Sequence, residues 1–189
     1  MKKKSALRDW SESIVIALIL ALFIRTFIIQ AFKIPSGSMR MTLVEGDRIL
    51  VSKLHYGPIV PFTKVRLPGF TKPHRGDVIV FKSPPDPKKD FIKRLIAFGG
   101  ETVEIKNGQI FINDQPVENP NITKNYYYNR GQYGLAGQKI KVPENHFFVL
   151  GDNSANSQDS RYWGFVPQGN LVGPAEILYW PPTRIRFIK

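Results

Sequence analysis

Residues 13–32, SIVIALILALFIRTFIIQAF, are apolar except for Ser13, Arg25, Thr26 and Gln30. A helix over that run, at 1.5 Å per residue, spans roughly 30 Å, the thickness of a bilayer core. Arg25 interrupts the pattern and requires a headgroup or a shifted span to accommodate it. A cleavable leader with MKKK as its basic start is the alternative. Against it, the run is long, Asp9 and Glu12 stand before it, and no small-x-small site follows. The pattern predicts a basic segment over 1–12 and a retained single-pass anchor over 13–32.

Past residue 33 the helical period gives way to short β-branched and aromatic runs: RILVSK, DVIVFK, FIKRLIAF, TVEI, QIFI, KIKV, HFFVLG, EILYW and RIRFI. Asn107-Gly108, between alternating runs, predicts a two-residue type I′ hairpin. Many short strands without amphipathic helices between them indicate a mainly β domain over 33–189, an antiparallel sheet with barrel-like character. Two stretches read as loops. Residues 56–74 carry prolines with Phe62 and Phe70 among basic side chains, and residues 119–138 are rich in Asn, Gly and Tyr. Either suits a bilayer interface or a surface packed on the β core.

Charge and composition narrow the chemistry. The chain is 189 residues long with a net charge of +12, a balance that suits nucleic acid or an anionic membrane surface. Lys2, Lys3, Lys4 and Arg8 before the span place the N-terminus in the cytoplasm and the β domain outside it, a location that argues against nucleic acid. Cysteine is absent, which excludes disulfides and thiolate chemistry. His55, His74 and His146 are scattered, with no metal-ligand spacing and no motif that marks a Ser-His-Asp triad.

KIPSGSM, residues 33–39, leaves the apolar run as a plain connector or as a turn presenting a serine. If Ser38 is a nucleophile it needs a base, and a lysine can serve when burial keeps it neutral. Lys93 sits within FIKRLIAF among Phe91, Ile92, Leu95 and Ile96, with Arg94 on the opposite strand face. GDNSANSQDSRYWG, residues 151–164, is either a structural turn or a buttress in which Asp152, Asp159 and Arg161 support a site.

Anchor, PSGSM, GDRILVSK, FIKRLIAFGGE and GDNSANSQDSRYWG, in this order, resemble the type I signal peptidases over nearly the whole chain. The resemblance implies a membrane-bound serine endopeptidase that removes signal peptides from exported preproteins, with Ser38 as nucleophile and Lys93 as general base. It implies that Ser36 joins the Ser38 N–H in an oxyanion hole and that Ser157 orients the lysine. Arg94, Asp152, Asp159 and Arg161 would form supporting ion pairs, and Met39 would line the cleft. Substrates would carry small residues at the first and third positions before the cut; no metal or cofactor is implied. The chain departs from the family at Met41, where proline is usual, and at Ala97–Glu101, where G-x-P-G-D is usual. Every residue with a chemical role is present. A self-cleaving repressor of related fold is disfavoured by the membrane run, and a non-catalytic anchored domain binding polyanions leaves Lys93 without a task.

Overall fold

The computed structural model describes residues 6–61, 63 and 65–189; Lys2, Lys3, Lys4 and Phe62 lie outside the described residues. An apolar helix α1 (Ala6–Phe23) runs into a π-helical turn (Ile24–Ile28) and then directly into strand β1 (Ile29–Lys33). The stretch Trp10–Ile28 is long and apolar enough to cross a membrane and is not covered by the rest of the chain. The helix expected to continue to residue 32 therefore ends at Ile28. Residues 29–33 pair antiparallel with β2 (Arg48–Ser52) in the register Ile29↔Ser52 to Lys33↔Arg48. Apolar composition is common to a spanning helix and a strand, so hydropathy alone does not mark this change.

After β2 come α2 (Lys53–Tyr56), β3 (Val78–Lys82), β4 (Asp90–Phe98), β5 (Thr102–Lys106), β6 (Gln109–Ile112), β7 (Gln115–Pro116) and α3 (Pro120–Thr123). The chain continues with β8 (Ile140–Lys141), β9 (His146–Leu150), α4 (Ser160–Trp163), β10 (Val166–Pro167), β11 (Leu171–Trp180) and β12 (Arg186–Phe187). Among the described residues the large sheet has the order β1-β2-β11-β3-β4-β9-β10, with β12 added to β11. The second sheet has the order β7-β6-β5-β8. All pairings are antiparallel. Bulges in β11 and β4 curl the large sheet, as an extra unpaired residue raises local twist.

Strand β3 shows why the core has two sides. Val78 and Val80 join Ile34, Met39, Leu43, Ile49 and Leu178, while Ile79 and Phe81 join Leu95, Phe147 and Val149. A strand buried on both faces reads as a continuous apolar run, as DVIVFK does. Asn107 (φ 50°) and Gly108 (φ 79°) take the left-handed conformations of a type I′ turn between Lys106 and its partner Gln109. The 119–138 stretch packs Ile122 and Tyr127 against the second sheet and leaves Tyr126, Tyr128 and Leu135 exposed. In the 56–74 stretch Val65, Leu67 and Phe70 are exposed.

Candidate active site

The pairing of β4 with β9 begins at Arg94↔Leu150, which leaves the edge of β4 before Arg94 open. The chain leaving β1 folds into that edge. Ile34 is fixed by bonds with Asp47 and Gly46, and Gly37–Met39 then forms a short 3₁₀ turn that packs against β4 and against a second such turn, Ser154–Asn156. Ser38, on the first turn, and Lys93, on β4, meet there: Lys93 Nζ donates to Ser38 Oγ at 2.7 Å. Both are buried, at 5% exposure for Lys93 and 7% for Ser38. Residues 55 apart in sequence thus form a hydroxyl–amine contact.

Burial lowers the Lys93 pKa from the usual 10.5 to about 8, with Asp159 and Asp152 opposing the shift and Arg161 adding to it. The amine is therefore substantially neutral at mildly alkaline pH, the state in which it accepts a proton. Its second bond, to the Ile92 carbonyl at 3.0 Å, holds the side chain back along β4.

A cleft of about 490 Å³ opens onto the pair, lined by Pro35, Ser36, Ser38, Lys89, the β4 edge from Asp90 to Lys93, and Asn156 with Gln158. Ser36 is exposed and extended (φ −142°, ψ 157°), and its side chain makes no capping bond to the turn. Met39 differs from expectation. It is fully buried in the core, where its sulfur accepts the Asp152 N–H at 3.5 Å, so it supports the turn from beneath.

Two fully buried ion pairs hold the loop behind the pair. Arg94 Nε donates to Asp152 Oδ1 at 2.7 Å, and Nη2 donates to Oδ2 of the same carboxylate. Arg161 forks onto Asp159 with two bonds of 2.8 Å. Asp159 also accepts the Gly151 N–H at 3.0 Å, while Arg161 reaches the Tyr128 carbonyl, the Ser154 hydroxyl and the Ser154 carbonyl. Bidentate geometry with further acceptors for each guanidinium is what makes a buried pair tolerable. The Ser157 hydroxyl is buried and makes no hydrogen bond, so the bond expected from it to Lys93 is not formed here. It lies against Gly151: a β-carbon there would fall 2.1 Å from Ser157 Oγ and 2.6 Å from the Ser38 carbonyl oxygen.

Three supports were not read from the sequence. Asn153 donates from its backbone to the Ser38 carbonyl at 3.0 Å and from Nδ2 to the Gly37 carbonyl at 2.8 Å. Thr42 Oγ1 donates to Asp152 Oδ2, and Arg130 Nη1 donates to the Ala155 carbonyl at 2.7 Å. Asn153 is itself the asparagine of GDNS, which was the available signal for the first; the other two join segments with no common motif. The histidines stand elsewhere. His55 Nδ1 meets both Ser52 Oγ and Glu176, so its imidazole has both partners on one nitrogen and cannot relay a proton between them. His74 faces Asp77 at the surface, and His146 bonds the Glu144 carbonyl. No group of three or more His, Asp or Glu side chains placed to hold a metal occurs among the described residues.

Residues 7–180 match the family described as signal peptidase, peptidase S26. A signal peptidase I of Leptolyngbya laminosa is 39% identical, over 97% of this chain and 85% of its own length. A signal peptidase I P of Bacillus subtilis subsp. natto is 36% identical, over 100% of this chain and 96% of its own. A crystal structure of a signal peptidase I from Enterococcus faecalis V583 aligns with TM-score 0.45 at 34% identity, covering 55% of this chain and 97% of that one.

Proposed function

The chain belongs to the signal peptidase family, peptidase S26, and is a serine peptidase; on that premise we propose that it cuts signal peptides from preproteins with a Ser38–Lys93 dyad while anchored in a membrane by α1. The observation that carries the proposal is the 2.7 Å contact between Lys93 Nζ and Ser38 Oγ, made inside a protein wall where the amine is depressed toward neutrality. In the neutral state the bond reverses: Ser38 Oγ–H donates to the Lys93 lone pair.

Lys93 removes that proton as Ser38 Oγ attacks the scissile carbonyl, giving a tetrahedral oxyanion. The Ser38 N–H and the Ser36 hydroxyl, at the cleft surface, supply its donors; each is worth about 3 kcal/mol in the transition state. Lys93 then returns the proton to the leaving amine, and the acyl group stays on Ser38. Water, deprotonated by the same amine, releases it. Lys93 is held toward Ser38 by its bond to the Ile92 carbonyl. The substrate lies extended against the open β4 edge, with small residues at the first and third positions before the cut. A bilayer houses α1, with the N-terminus cytoplasmic and the β domain outside, in the cell membrane.

Purified protein supplied with a preprotein carrying an Ala-x-Ala site tests this. Ser38→Ala and Lys93→Met are each expected to abolish cleavage while the circular dichroism spectrum is unchanged. Cleavage retained by either folded variant contradicts the dyad.

A further inference from the structure

Where the apolar helix turns into strand, its hydrogen bonds change partner. The Ile29 N–H, which in an α-helix would reach the Arg25 carbonyl, bonds the Ile24 carbonyl instead, as the π-turn dictates. Lys53 takes the carbonyl set free: its Nζ donates to Arg25 O at 2.9 Å. An unsatisfied carbonyl at a bilayer boundary is expensive, so this bond has more weight there than on an ordinary surface. Lys53 opens α2, which packs against both the π-turn and β1.

Beyond this junction the chain is tied on both sides of Pro35 and Ser36. β1 is paired residue for residue with β2, Ile34 is tied to Asp47 and Gly46, and the Gly37 and Ser38 carbonyls are tied to Asn153. Five strand residues at about 3.3 Å each give a stiff post roughly 17 Å long between the helix and the catalytic turn. The same corner adjoins the mouth of the cleft. Asp90, a lining residue paired with Lys82 at 2.9 Å, lies within electrostatic reach of Lys53, as do Lys82 and Arg25.

Resting on the membrane-spanning, preprotein-cutting role above, we propose that Lys53 is a positioning residue that clasps the last turn of the anchor and so fixes the height and tilt of the cleft over the bilayer. The scissile bond of a membrane-held preprotein then meets Ser38 at one set distance from the lipid. Loss of the clasp lets the helix swing at the π-turn and spreads that distance, without touching the dyad.

The test compares Lys53→Met, which keeps the chain length and loses the donor, with Lys53→Arg, which restores one. Each full-length protein is reconstituted in vesicles of neutral and anionic phospholipid with a preprotein carrying two tandem Ala-x-Ala sites four residues apart. A short peptide substrate in detergent runs in parallel. Lys53→Met is expected to lower kcat/KM in vesicles about fivefold to tenfold and to divide cutting between the two sites, where wild type favours one. The peptide rate stays the same, and Lys53→Arg recovers the wild-type site choice. Unchanged site choice and rate in vesicles for Lys53→Met would overturn the clasp, as would equal losses on both substrates. Failure of the wild type to cut either substrate would instead overturn the functional assignment itself.

Discussion

Asn153 holds two successive carbonyls of the Gly37–Met39 turn, and the consequence is that the Ser38 hydroxyl and N–H are presented together. Asn153→Ala removes the bond to Gly37 and keeps the backbone bond to Ser38. It is expected to lower kcat about tenfold with KM and Tm little changed, as misplacement of a reacting atom reduces turnover. Gly151→Ala acts more harshly. Its new methyl would overlap Ser157 Oγ and the Ser38 carbonyl oxygen, so steady-state assays are expected to show at least a hundredfold loss in kcat. Lys93 has a signature in stability as well. Its pKa in the folded protein, about 8, lies below the ordinary 10.5, so between these values the unfolded chain binds the extra proton and stability rises with pH. Below about 8 both states are charged and the full penalty of burying the ammonium applies. Lys93→Met is therefore expected to raise Tm at pH 7, by an amount that shrinks toward pH 10.5; melting curves across that range check the sign.

At the scale of elements, the loop from Gly151 to Arg161 is shaped by its two buried ion pairs and not by strand pairing. Asp152→Asn leaves the Arg94 guanidinium without its counter-charge and is expected to destabilise the fold by about 3 kcal/mol, read from urea unfolding. The strands themselves were legible, because alternating or continuous apolar runs between Gly and Pro survive as pairing instructions in RILVS, VIVFK and HFFVL. So was the 107–108 hairpin, whose turn type Asn-Gly strongly favours. The junction at Ile28–Ile29 was not legible: IIQAF satisfies a membrane helix and a strand equally, and the partner that decides, β2, lies about twenty residues on. Within the site, the motifs picked out Ser38 and Lys93, which meet, and the charged residues that form the two pairs. They misplaced Met39, whose sulfur faces the core. Thr42 and Arg130 carried no signal, since their contacts exist only after the loop has closed.

For the whole molecule, a curled sheet places the Gly37–Met39 turn, the β4 edge and the Ser154–Asn156 turn around one cleft, while α1 stands clear of all of them. Pairing from Ile29 to Lys33, followed by the bonds of Ile34, links α1 to the segment that carries Ser38. The central claim concerns the proton that leaves Ser38, and a pH profile of kcat/KM on a soluble peptide, from pH 5 to 10, tests it most directly. With Lys93 as base, the rate is expected to climb about tenfold per pH unit and to level off near pH 8, the value at which burial leaves the amine half neutral. A rate independent of pH across that range, or one that levels off near pH 6.5 as a histidine base would make it, would contradict the account.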